Sequence, residues 1–166
     1  ARQFGIPVFL DRTRGILLNP FIEYIRSALK LVREDFSYRS VFHYLRSGLT
    51  GFDREDTDRL ENYVLAYGID RKRKWLSPFT AVPEEGAEEL EGFNGLRRRL
   101  LEQLAPLMEK NKGTAGERIK MLYRFITENK VQEKLAVYER MFEEDNQLSR
   151  AREYGQIYKL VCFIYF

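Results

Sequence analysis

NPFIEYIRSALKLV, residues 19–32, decides the fold of this chain. Asn19 suits a helix N-cap, because its side-chain oxygen accepts a hydrogen bond from one of the free backbone N–H groups of the first turn. Pro20 suits the first helical position, where a missing N–H costs nothing and a fixed φ is already helical. Phe21, Ile22, Ile25, Ala28, Leu29 and Val32 then recur at the three-and-four spacing of one helix face. The stretch predicts a helix over 20–34.

The same pattern continues downstream. Val41, Phe42 and Leu45 predict the inward side of a helix over 39–47 that ends before Gly48. Asp53 is an N-cap with Asp56 three positions on, and Leu60, Tyr63, Val64 and Tyr67 form one stripe that stops at Gly68, so 54–67 reads as helix. Residues 70–92 change character. A basic run precedes LSPFTAVPEEGAEELEG, whose prolines and glycine read as an irregular surface connector. Helical spacing returns from Leu96 through Leu100, Leu101, Leu104 and Met108, with Pro106 expected to kink or split the helix near Ala105.

TAGE, residues 114–117, is a capping box that opens a helix carrying Ile119, Leu122, Tyr123 and Ile126. Two more helical stripes follow: Val131, Leu135, Tyr138, Met141 and Phe142, then Ala151, Tyr154, Ile157, Tyr158 and Val161. Upstream of residue 19, Phe4 to Leu10 is an extended apolar run, the one strand-like segment, and reads as the exit from a larger fold. The expectation is a mainly α, irregular multi-helix single domain over 1–166, with a short extended β segment at its N-terminus.

Composition narrows the chemistry. No stretch of the 166 residues approaches the roughly 18 uncharged apolar residues a membrane span needs, so no membrane partner is expected. One cysteine, Cys162, makes no internal disulfide or cysteine-based metal site by itself, which fits a reducing, cytoplasmic setting. One histidine, His43, sits beside Phe42 and Tyr44 without a nucleophile motif and reads as a core-edge or surface residue. There is no phosphate-binding Gly-x4-Gly-Lys-Ser/Thr loop, so ATP hydrolysis by this chain alone is not expected. DREDTD (53–58) and EEGAEELE (84–91) lie along one helix start and one loop, and read as capping and solvated charge.

Three stretches bear on polyanion binding, which a net charge of +3 permits without requiring. RKRKW, residues 71–75, sets Arg71, Lys72, Arg73 and Lys74 before the only tryptophan, Trp75. Such a run neutralises phosphates, and the ring either faces a base or staples the run to the core. Arg97, Arg98 and Arg99 read as the outer face of an amphipathic helix. In SGLTGFDRED, Gly48 and Gly51 allow backbone amides to approach a phosphate, but Asp53 competes for the helix start and Glu55 and Asp56 repel an anion.

FGIPVFLDRTRGILLNPFIEYIRSALKLV, then YRSVFHYLRSGLTGF, then DRLENYVLAYGI and the basic stretch ending in tryptophan resemble the B subunit of the bacterial ATP-dependent helicase/deoxyribonuclease, the AddB type. The resemblance runs over most of 4–160 and is most specific in the first half. It implies a helicase-like subunit whose own motor is degenerate. Such a subunit forms a heterodimer with an ATP-dependent motor and nuclease partner, the A subunit, and the pair resects double-strand breaks for recombination. The resemblance also implies a nuclease domain elsewhere in the parent, with magnesium and an iron–sulfur cluster. The nuclease motif and the cluster cysteines have no counterpart here, so no cofactor is expected in this stretch.

More weakly, the chain is similar to superfamily I helicases, in which a GIP strand leads into a helical insertion called 2B. There a Gly-x-Gly loop approaches duplex DNA. Gly5, Ile6 and Pro7 match the strand and Gly48 to Gly51 fall at the loop, although two residues separate these glycines and acids follow them. The implied role is non-catalytic and DNA-facing, with Arg71, Lys72, Arg73, Lys74, Trp75, Gly48 and Gly51 as the contact residues. The competing role is a module that docks the motor partner without touching DNA.

Overall fold

A computed structural model describes residues 19–84, 86–109 and 113–165, with side chains as far as residue 157. The described residues form eight helices and no strand: α1 (Pro20–Arg33), α2 (Tyr38–Leu45), α3 (Arg54–Ala66), α4 (Lys72–Leu76), α5 (Ala87–Met108), α6 (Ala115–Glu128), α7 (Val131–Glu144) and α8 (Leu148–Tyr165). The mainly α expectation holds. The extended run Phe4–Leu10 and the side chain of Cys162 lie outside the described residues.

The helices start and stop where the sequence chemistry places them. Asn19 Oδ1 accepts from Phe21 N at 2.9 Å and Asp53 Oδ1 from Asp56 N at 2.7 Å. Both halves of the Thr114/Glu117 capping box are made. Gly68, at φ +58°, lets α3 close in paired turn bonds, Gly68 N to Leu65 O and Ile69 N to Val64 O, with Ile69 returning to the core.

α5 is the central element, packing against α1, α3, α4 and α6, while α2 lies on α1, and α7 joins α6 to α8. Phe21, Tyr24, Leu31, Tyr44, Leu60, Leu100, Leu104 and Phe125 are fully buried where these elements meet. Each of the leucines and phenylalanines contributes about 1.5–3 kcal/mol on removal from water. Tyr24 stacks on Phe125 at 5.1 Å, which ties the first helix to the sixth. In the C-terminal pair, Tyr154 packs on Tyr138 and Phe142, at 5.7 and 5.1 Å.

Two local expectations are corrected. Residues 70–92 are not an irregular connector throughout, because α4 occupies 72–76 and α5 begins at Ala87. Pro78 and Pro83 both fall in the strap between those helices, so neither proline interrupts a turn. Pro106 does not split α5. It lies in the last turn, buried, where its missing donor affects a helix with only two residues left to run. Leu29, Tyr67, Tyr123 and Met141, expected on inward stripes, are 40–52% exposed.

Candidate nucleic-acid interface

The α2–α3 loop carries Gly48 and Gly51 at φ +86° and +76°, a region closed to most L side chains. Thr50 braces it from within, donating to Leu45 O at 3.0 Å and accepting from Phe52 N. Four consecutive carbonyls then accept side-chain bonds from two other helices. Tyr138 Oη reaches Gly48 O at 2.9 Å, Lys134 Nζ reaches Leu49 O at 2.7 Å, Gln103 Nε2 reaches Thr50 O at 2.7 Å, and Arg99 Nη2 reaches Gly51 O at 2.5 Å.

Gln103 in turn accepts from the buried Tyr44 hydroxyl at 3.0 Å, so the loop is wired to the core. Every carbonyl of 48–51 is thus occupied. Among the described residues, none of the N–H groups of 48–51 donates to a protein acceptor. Gly48 and Gly51 are themselves exposed. Two cations stand at the loop: Arg99, whose guanidinium also lies 4.5 Å from the Phe52 ring, and Lys134. Burial, and next the Arg99 charge, hold the Lys134 ammonium below the usual lysine range.

The acids that follow are mostly engaged. Asp53 caps α3, and Arg46 binds Glu61 and reaches Asp58 at 2.8 Å. Burial and the neighbouring Asp53 raise the Asp56 carboxyl above the usual range. Asp53 thus already occupies the start of α3.

Arg71 to Lys74 run into the short helix α4. Arg71 caps α4 at φ +74°, Lys72 N donates to Asp35 O at 2.9 Å, and Lys74 Nζ reaches Gly68 O at 2.5 Å. Arg71, Arg73 and Lys74 are exposed. Trp75 is fully buried, edge-on to Phe79 at 5.6 Å, so it staples the segment and offers no face to a base.

Sequence reasoning missed what holds Trp75 in place. Arg97, read as outward-facing, is 6% exposed. It donates to Trp75 O at 3.0 Å and to Asn94 Oδ1 at 3.1 Å, and lies 5.8 Å from the Phe79 ring. Asn94 completes the clamp, accepting from Phe79 N at 2.9 Å and donating to Phe79 O at 3.0 Å. Burial, and next the Arg98 charge, lower the Arg97 pKa. The signal available in the sequence was the spacing of Phe93, Arg97 and Leu100, which share one face of α5.

His43 is exposed and 2.6 Å from Glu23. Among the described residues no three His, Cys, Asp or Glu side chains gather to hold a metal. No described helix is long and apolar enough to cross a membrane.

The described residues thus form a helical module with a positive-φ loop and an exposed basic segment. Comparison with known proteins gives this a family context. The chain is 35% identical over 97% of its length to the B subunit of the ATP-dependent helicase/deoxyribonuclease of Lachnoclostridium phytofermentans, and 37% identical over 98% to that of Acetivibrio thermocellus. Its counterpart in Clostridium novyi is 36% identical over 96%. The chain is thus a homologue of one segment of the B subunits of ATP-dependent helicase/deoxyribonucleases, spanning about 15% of the length of these relatives. No family model matches it.

Proposed function

We propose that this chain is the non-catalytic, helicase-like domain of a cytoplasmic helicase–nuclease subunit that works in double-strand break resection and recombinational repair, where it positions DNA. Translocation would come from an ATP-dependent partner subunit. Nuclease chemistry, with its magnesium and iron–sulfur cluster, would come from other parts of the assembly. The observation that carries this reading is the loop at 48–51, whose four carbonyls are tied down by Tyr138, Lys134, Gln103 and Arg99. A loop held that way keeps its amides for an outside acceptor beside two cations, which suits a phosphate oxygen.

Duplex binding measured against salt tests it. Gly48→Asp puts a carboxylate on the exposed loop without filling occupied space, since a Cβ there meets only the Tyr138 hydroxyl at 3.9 Å, and Gly48→Asn, equally strained at this positive φ but uncharged, is its control. Gly48→Asp should weaken duplex binding about tenfold or more relative to that control. Replacing Arg71, Lys72, Arg73 and Lys74 with alanine should flatten the log–log salt slope by up to about 3.6 if all four meet duplex phosphates. Unchanged affinity and slope in both variants would favour the docking role, for which Leu65, Leu76 and Val82, each more than half exposed, supply an apolar surface.

A further inference from the structure

A cleft of about 460 Å³ lies between the end of α3, α4 and the strap that follows it. Its walls include Tyr67, Ile69, Arg73, Lys74, Ser77 and Pro78, and among the described residues no carboxylate lines it. Tyr67 is 40% exposed and held at both ends. Its hydroxyl donates to Val82 O at 3.1 Å and its ring packs on Tyr63 at 4.7 Å. Arg73 has no carboxylate partner among the described residues, and Lys74 is steadied by Gly68 O while keeping further donors. A fixed, part-open aromatic ring beside two cations and no anion is the arrangement that stacks a base and neutralises its phosphate.

We infer that this cleft takes an unpaired nucleotide of single-stranded nucleic acid, the base against Tyr67 and the adjoining phosphates on Arg73 and Lys74. In a duplex the faces of a base are covered by its neighbours, so an open ring serves only a base that has left the stack. The inference rests on the reading that this domain faces DNA, and adds an unpaired base to the phosphates that the α4 cations would meet. The strand displaced when a duplex is opened has the required chemistry.

The test uses the intact polypeptide that carries these residues, with three probes: an oligo-dT strand, an abasic strand of equal length and charge, and a blunt duplex. Tyr67→Leu should lower oligo-dT affinity by about 5- to 150-fold, the range of one base–aromatic stack, and leave abasic affinity unchanged. Tyr67→Phe, which keeps the ring, should retain the preference. The Arg73→Ala/Lys74→Ala double variant should weaken both strands and flatten the salt slope by about 1.4, at roughly 0.7 per single-strand phosphate.

Equal affinity of the unaltered protein for oligo-dT and abasic strand would overturn the inference, as would equal losses on both strands in Tyr67→Leu. If either occurs with duplex binding intact, the inference fails and the wider reading stands. If none of the three probes binds, both fail.

Discussion

Arg71–Lys74 and Arg97–Arg99 are both uninterrupted runs of cations, yet they meet the protein from opposite sides of one contact. In the first run the chain has just left α3, and the five residues of α4 make barely more than one turn, so one side chain, Trp75, goes inward and Arg71, Arg73 and Lys74 stay in water. The second run lies in the interior of a 22-residue helix flanked by other elements. There each residue steps about 100° from the last, and three arginines meet three environments. Arg97 enters the core beneath Trp75, Arg98 pairs with Glu91 at 2.8 Å in solvent, and Arg99 turns to the Gly51 carbonyl. A basic run is thus a surface feature only where the element is short or free on most sides.

The largest effect that would break this comparison is at Trp75. Trp75→Ala should cost about 3–5 kcal/mol of unfolding free energy, the range for a fully buried ring, while Arg73→Ala should stay within about 0.5 kcal/mol. Chemical denaturation followed by the helical circular-dichroism signal measures both. Similar losses at the two positions would mean that α4 is not anchored by its ring.

Next comes the clamp. Arg97→Met keeps the length and apolar stem but strips the donors from Trp75 O and Asn94 Oδ1, and should cost about 1–3 kcal/mol. Arg98→Ala, one residue on, should be nearly silent, because exposed ion pairs contribute little. If the two arginines proved equal, helix phase would not be what separates them.

Gly51→Ala should be milder, at about 1–2 kcal/mol for a side chain in the left-handed region. The added Cβ would stand 2.9 Å from the Arg99 guanidinium, whose flexible end can give way. Lower duplex affinity accompanying this loss would connect the second basic run to the loop's role.

The smallest effect is one of pH. Glu61 accepts from Arg46 and from the Tyr38 hydroxyl, and these bonds, Arg46 first, hold its carboxyl below the ordinary range against an opposing effect of burial. A depressed folded-state pKa means that the contribution is complete above the unfolded value, about 4.3, and is lost as pH falls through the folded one. Glu61→Gln should flatten the acid side of a stability–pH profile and leave the neutral region with a small, pH-independent loss. A profile unchanged below pH 5 would remove the α2–α3 ion pair from the account.

The helices were readable because their signals are local. N-caps such as Asn19, Asp53 and Thr114, and stops such as Gly68, act within four residues, and 3.6-residue periodicity repeats often enough to survive single exceptions. The residues that carry the candidate sites were readable only in part. Gly48, Gly51 and the cations of 71–74 stand out by type, but Gln103, Lys134 and Tyr138 hold the loop across 53, 85 and 90 residues of sequence, and no local pattern marks them.

Tyr67 shows the same limit from the other side. It fits an apolar stripe and was expected inward, yet it is the C-cap of α3, where the packing surface ends and the ring is left at a cleft edge. By itself, then, the sequence determined that the chain is helical, where most helices begin and end, and which family it resembles, because capping and periodicity are properties of neighbours along the chain. Which arginine is buried, which carbonyls are tied down and which aromatic ring stays open were decided by tertiary structure alone, because each depends on an α5 or α7 side chain meeting backbone brought there from a distant part of the chain.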